Sequence, residues 1–235
     1  EIVINPNNPD TMYLATGDKY GIYFQYEVTG HYSAGVLIST DGGATWNQTS
    51  MNYNQAQNVL FQRMIMNPVN PSIMILATSN GIYRTTDAGA TWSNVQPGGM
   101  FYDVEFNTGN PSIVYALNGT TFYRSMDDGA TWAPFGGIPA LGGDRSAIAV
   151  TPADANSIYV WDNTNILYYS NNGGTTFTPK TSPGGAAGPY GYYDNVITCS
   201  PLNTQTLYAG GLNVAKSTDG GTTWTTVSDW GGWPN

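Results

Sequence analysis

Five copies of one eight-residue pattern restrict what this chain can fold into. The first is Ser39–Trp46 (Ser-Thr-Asp-Gly-Gly-Ala-Thr-Trp), and Thr85–Trp92, Ser125–Trp132, Ser170–Phe177 and Ser217–Trp224 repeat its hydroxyl, Asp or Asn, Gly, Thr and aromatic positions. Their third positions, Asp41, Asp87, Asp127, Asn172 and Asp219, lie 46, 40, 45 and 47 residues apart. A period in the forties built from short strands belongs to an array of equivalent sheets, because one such unit cannot bury its own apolar face.

The chemistry of the pattern is that of a tight corner between two strands. A carboxylate or amide at the third position bonds backbone N–H groups one to three residues on, glycine at the fifth takes positive φ, and the hydroxyls fasten the loop ends. The closing aromatic, Trp46, Trp92, Trp132, Phe177 or Trp224, is expected to start the next strand and fill the gap to a neighbouring sheet. The pattern S/T-x-D/N-x-G-x-T-W/F resembles the Asp-box, or bacterial neuraminidase repeat. That resemblance implies a structural corner remote from any active face, so the box residues read as scaffold.

With 40% apolar residues in 235 the chain can bury a large core, and 29 glycines with 14 prolines suit many tight turns. Seven Lys+Arg against 16 Asp+Glu leave a net charge of -9, which argues against a nucleic-acid partner, since that needs a basic stripe. A single cysteine, Cys199, and a single histidine, His31, exclude a disulfide framework, a four-cysteine metal site and His-rich metal chemistry, so no metal or cofactor is expected. No apolar run approaches the ~20 residues of a membrane span. The opening at Glu1, without methionine or signal peptide, reads as a processed or truncated copy.

Each repeat divides into four short strands. In the second, alternation predicts strands over Phe61–Met66, Ile73–Thr78, Gly81–Thr85 and Thr91–Val95. Proline-rich turns join first to second strands at Asn5–Pro9, Asn67–Pro71, Asn107–Pro111 and the looser Thr151–Asp154 and Ser200–Asn203. Four antiparallel strands per unit without a crossover helix read as an all-β propeller, the first strand of each blade lining a central channel. Five blades are expected, approximately residues 1–50, 51–97, 98–138, 139–181 and 182–235, as a single propeller segment. With Glu1–Ile4 a first strand and Thr222–Ser228 a fourth, no strand is left over to latch a ring. A closed five-bladed ring is one alternative; the preferred one is a segment of a larger propeller, with other blades or domains of the parent chain as partners.

Antiparallel succession puts proline turns and boxes at one end of every blade and the variable loops at the other. Blade one carries the largest insertion there, residues 17–35, with Asp18, Tyr20, Tyr23, Tyr26, Glu27 and His31; residues 183–194 bring Tyr190, Tyr192, Tyr193 and Asp194 to the same end. Long aromatic loops on a rigid scaffold are where binding usually resides, although a surface hairpin packing its tyrosines on blade two is the alternative. Aligning the first strands also brings Glu1, Arg63, Asp103, Arg145 beside Asp144, and Asp194 to the entrances of the channel, where they either form a site or hydrate it. The candidate ligand contacts are therefore Tyr20, Tyr23, Tyr26, His31, Arg63, Tyr190, Tyr192 and Tyr193, and the candidate catalytic acids are Asp18, Glu27, Asp103 and Asp194. Arg84 and Arg124 immediately precede boxes and read as blade-surface residues, so a three-arginine sialidase site is disfavoured. Cys199 aligns with Ile4, Met66, Phe106 and Val150 and reads as a buried thiol.

The run Tyr13–Asp18, the tyrosine-rich insertion, Gly35–Gly43 and the later boxes together resemble sortilin-type and xyloglucanase-like propellers, and most of all the large secreted proteins exported by type IX secretion. The resemblance spans the whole chain. It implies an extracellular, multidomain parent with a C-terminal sorting domain, and it matches Asp18 to the catalytic aspartate that follows a second strand in xyloglucanase-like enzymes. Two functions follow as expectations: a non-catalytic propeller, secreted or at the cell surface, that binds glycan or protein through its tyrosine-rich face, or a secreted glycoside hydrolase acting on a β-glucan-type polysaccharide.

Overall fold

The computed structural model describes residues 1–17, 32–139, 141–142, 145–162, 164–187 and 195–228. They form five four-stranded sheets, each strand lying beside its neighbour in sequence. Sheet one holds β1 (Ile2–Ile4), β2 (Met12–Ala15), β3 (Gly35–Ser39) and β4 (Asn47–Asn52); sheet two holds β5 (Phe61–Met66), β6 (Met74–Thr78), β7 (Gly81–Thr85) and β8 (Ser93–Pro97). Sheet three is β9 (Phe101–Phe106), β10 (Val114–Asn118), β11 (Thr121–Ser125) and β12 (Ala133–Pro134). Sheet four is β13 (Ala147–Val150), β14 (Ile158–Trp161), β15 (Leu167–Ser170) and β16 (Thr178–Lys180), and sheet five is β17 (Val196–Cys199), β18 (Leu207–Gly210), β19 (Val214–Ser217) and β20 (Thr225–Ser228). Among the described residues the helical content is one 3-10 turn, Gln55–Gln57, and the single α-turn α1, Gly184–Ala187.

The chain divides into two compact units. The first comprises Glu1–Val104, Pro111–Val114 and Ser125–Trp132, and the other described residues make up the second. In the first unit the core gathers Tyr13, Ala15, Val36, Phe61, Met64, Met74 and Leu76, alternate residues of facing strands. In the second, Tyr159, Trp161, Leu167, Ile197, Cys199, Leu207 and Ala209 do the same. Cys199 is buried there, and burial pushes its thiol pKa up.

The corner motif works through a longer reach than its sequence suggests. In the first copy the Asp41 carboxylate accepts the Thr45 N–H at 2.8 Å and the Thr45 hydroxyl at 2.6 Å, four residues on, while the Ser39 hydroxyl donates to it and accepts the Gly43 N–H. The same set recurs at Asp87, Asp127 and Asp219, and Asn172 reproduces it with its amide donating to the Thr176 hydroxyl. This reach corrects two strand starts. Thr91 and Trp92 belong to the corner, so β8 begins at Ser93; likewise β20 begins at Thr225, because the Thr223 N–H is taken by Asp219 and not by a ladder. The indoles of Trp46 and Trp132 turn back to donate to the Gly43 and Gly129 carbonyls of their own corners.

A clasp ties each corner to its proline turn. Gly42 N–H donates to Asp10 O, Ala88 to Ser72, Asp128 to Ser112, Gly173 to Asn156 and Gly220 to Gln205, all at 2.9–3.0 Å. Each corner and turn therefore share one end of their sheet. The turns are themselves capped: Asn67 and Asn107 each accept two backbone N–H groups, and Thr151 accepts one. Their remaining donors reach a neighbouring sheet of the same unit, Asn67 to the Asp128 carboxylate, Asn107 to the Ala155 carbonyl and Thr151 to the Ser200 carbonyl.

Candidate functional site

Strands that clasp at one end leave their other end to the variable loops. At that far end of the first unit three of the aligned charges converge. Arg63 on β5 pairs with Glu1 at 2.5 Å through Nη1 and faces Asp103 of β9 at 3.6 Å through Nε, and the second Glu1 oxygen accepts the Met64 N–H. Asp103 is nearly buried and also accepts the Val104 N–H. One guanidinium thus stands between two carboxylates.

The far end of the second unit carries both charged and uncharged polar groups, Arg145 and Asp162 beside Ser146, Trp161 and Asn195. Asp162, fully buried after β14, is saturated: it accepts the Gly142 N–H, the Ile166 N–H and the Thr164 hydroxyl, and so locks the β14–β15 loop. Around it lie buried polar atoms with no hydrogen-bond partner, namely Ser146 Oγ, Trp161 Nε1 and both amide atoms of Asn195. Ser146 and Asn195 immediately precede β13 and β17, and Trp161 ends β14 opposite Ala147, so all three stand at the end away from the corners. Buried donors and acceptors left open in this way ordinarily hold water or a ligand hydroxyl. Sequence alone missed them. Ser146 and Asn195 occupy the same repeat position as Gln62 and Tyr102, so a run of polar residues at that position was the available signal.

Of the candidate residues, Arg63 and Asp103 are brought together. Asp18, Tyr20, Tyr23, Tyr26, Glu27, His31, Tyr190, Tyr192, Tyr193 and Asp194 lie outside the described residues. The chain enters the first of these segments from Gly17 after β2 and leaves it at Tyr32 before β3, hence at the far end of sheet one. Arg84 is more than a surface residue, because its Nε donates to the Asp128 carbonyl at 2.7 Å. Arg124 lies 3.3 Å above the Phe135 ring, and Phe135 also lines a shallow groove of about 200 Å³ with Thr120, Phe122, Pro134 and Ile138. Among the described residues no group of three His, Cys, Asp or Glu could hold a metal ion, and no helix is long and apolar enough to cross a membrane.

Comparison with known proteins bears on this geometry. Residues 37–48 match the BNR/Asp-box repeat. Among solved structures, an ancestral GH74 enzyme superposes on 97% of this chain with a TM-score of 0.75 at 20% identity, and the GH74 enzyme of Niastella koreensis on 96% with a TM-score of 0.68. The five sheets are β-propeller blades. In sequence, the chain is 30% identical to the xyloglucanase Xgh74A of Acetivibrio thermocellus over 116 residues, and 29% identical to a Paenibacillus xyloglucanase over 100. These alignments span 45% and 40% of this chain but only 13% and 9% of the relatives. Another solved structure, YCF48 bound to D1 peptide, superposes on 84% of the chain with a TM-score of 0.54 at 19% identity.

Proposed function

We propose that the chain is part of a propeller that binds a neutral glycan at the end away from its boxes, within a secreted or cell-surface multidomain protein. The observation that carries this reading is the set of open, uncharged hydrogen-bonding atoms on Ser146, Trp161 and Asn195. Indole N–H, hydroxyl and carboxamide groups match sugar hydroxyls, and Tyr190, Tyr192 and Tyr193, which precede Asn195 in sequence, are of the type that stacks on sugar rings; Tyr20, Tyr23, Tyr26, His31 and Arg63 are the candidate ligand contacts of the first unit. The box residues Asp41, Asp87, Asp127, Asn172 and Asp219 act as scaffold. Export by type IX secretion and kinship with sortilin-type propellers extend the same reading.

A hydrolase is the second reading, favoured by the sequence identity to xyloglucanases. It assigns catalysis to Asp18 with a second acid among Glu27, Asp103 and Asp194. Isothermal titration with xyloglucan oligosaccharides separates the two. Binding that weakens at least tenfold in Asn195→Leu and in Tyr23→Ala/Tyr192→Ala, yet persists without turnover in both the parent and Asp18→Asn, supports the binding module. Turnover that disappears in Asp18→Asn establishes the hydrolase, and a peptide that competes for the site redirects the reading to a protein ligand.

A further inference from the structure

Three of the five corners place glycine directly after the corner acid or amide: Asp41–Gly42, Asn172–Gly173 and Asp219–Gly220. Such pairs are chemically labile joints of a polypeptide in water. The glycine nitrogen attacks the side-chain carbonyl carbon and a five-membered succinimide closes, with ammonia leaving from Asn or water from Asp. Hydrolysis then reopens the ring to aspartate or isoaspartate. The attack needs an N–H that can give up its proton and a side chain able to turn onto it, and glycine adds no steric barrier.

Burial gives these corners little protection, because Asp41 and Asn172 are exposed and Asp219 is half-buried. Their hydrogen bonds supply it instead. In every clasp the donating N–H belongs to the fourth corner residue, which carries the nitrogen that ring closure requires: Gly42 donates to Asp10 O, Gly173 to Asn156 O and Gly220 to Gln205 O, at 2.9–3.0 Å. The electrophile is pinned as well. The Asn172 carboxamide accepts the Ser170 hydroxyl at 2.9 Å and the Thr176 N–H at 3.0 Å, and donates to the Thr176 hydroxyl at 2.8 Å. Closing the ring on Gly173 means breaking the clasp and releasing the carboxamide from this set. Asn172 is the most sensitive of the three, since its amide is a neutral electrophile, whereas hydrogen bonds keep Asp41 and Asp219 ionised and without a hydroxyl to lose.

We propose that the clasp guards a latent modification site: Asn172–Gly173 deamidates, to aspartate and isoaspartate, only from the opened fourth corner. The rate in the folded protein is then the unfolded rate multiplied by the open fraction. The two products differ in what they do to the fold. Aspartate reproduces the acceptor found at Asp41, Asp87, Asp127 and Asp219, so the corner re-forms. Isoaspartate inserts a methylene into the main chain, and the reach to the N–H four residues on, common to all five corners, is lost. Opening of the fourth corner thus exposes the chain to a lesion that refolding does not reverse.

Peptide mapping by mass spectrometry at pH 9 tests this, with aspartate and isoaspartate at position 172 resolved against synthetic standards. In the folded protein Asn172 should convert at least fiftyfold more slowly than in the same protein unfolded in guanidinium chloride. Thr176→Val, which removes the hydroxyl that accepts the carboxamide N–H, should raise the folded-state rate at least fivefold, and Thr176→Ser should restore it. Asn118–Gly119, at the β10–β11 connection of the same compact unit, is the internal reference. An unchanged rate there assigns the gain to the fourth corner; a parallel rise at both sites assigns it to general unfolding and overturns the local claim. A folded-state rate in the unaltered protein within threefold of the unfolded one overturns the proposal, whether or not the variants fold, and so does a folded Thr176→Val that converts no faster.

Discussion

At the scale of single residues, hydrogen bonds within the corner hold the box carboxylates below the usual carboxylate range. The Thr45 hydroxyl, the Thr45 N–H and the Ser39 hydroxyl hold Asp41 at about 2, and the equivalent threonines and hydroxyls hold Asp87 and Asp219 at about 2. At Asp127, partial burial pushes upward, but hydrogen bonds from Thr131 and Ser125 outweigh it and the net shift is downward. A carboxyl with a folded pKa below its unfolded value of about 3.9 contributes stability that is complete above that value and is lost as pH falls toward 2. The thermal midpoint should therefore drop between about pH 4 and pH 2. Asp41→Asn, Asp87→Asn and Asp219→Asn should each flatten that drop, and Asn172→Asp should steepen it. Equal slopes in all four variants would disprove the assignment. The residue types at these corners were legible because only a short acceptor flanked by hydroxyls can close the loop. The four-residue reach was not, because it depends on where the chain folds back.

At the scale of elements, the four-strand repeat could be read from alternation, and the second repeat shows how far. Phe61–Met66 and Gly81–Thr85 coincide with β5 and β7, whereas the fourth strand begins two residues later than alternation implies, since corner hydrogen bonds override β-propensity at Thr91. The turn glycines were visible as glycines but not as contacts. Gly98 and Gly129 both have positive φ, +84 and +79, yet a Cβ on Gly98 meets nothing within 4 Å while one on Gly129 collides with the fully buried Ile75. Gly98→Ala should cost only the left-handed backbone penalty, about 1–2 kcal/mol. Gly129→Ala should cost about 1–3 kcal/mol more through overpacking. Urea denaturation of the two variants checks this, and equal midpoints would contradict the packing of the third box on β6.

At the scale of the whole molecule, the aligned charges Glu1, Arg63 and Asp103 were legible as a set, because a repeat places equivalent positions at equivalent ends. The open polar atoms at Ser146, Trp161 and Asn195 were not, since burial without a partner is a property of packing and not of residue type. Cys199 reports on that packing. Buried in the second unit with its thiol pKa raised, it should resist iodoacetamide at pH 8 in the native protein and label fully in denaturant; native-state labelling at the rate of a free thiol would place it at the surface.

The clasp between each corner and its proline turn reaches beyond stability. It holds one end of every sheet alike, while the opposite connections, braced by side chains of their own such as Asp162, differ in length: Ser79 and Asn80 alone join β6 to β7, residues 211–213 join β18 to β19, and residues 16–34 join β2 to β3. Lengthening a flexible loop costs only about 0.6 kcal/mol per doubling. Each blade thus offers an independent slot on a constant mount, and recognition can be rewritten one connection at a time by grafting, with the five corners left untouched.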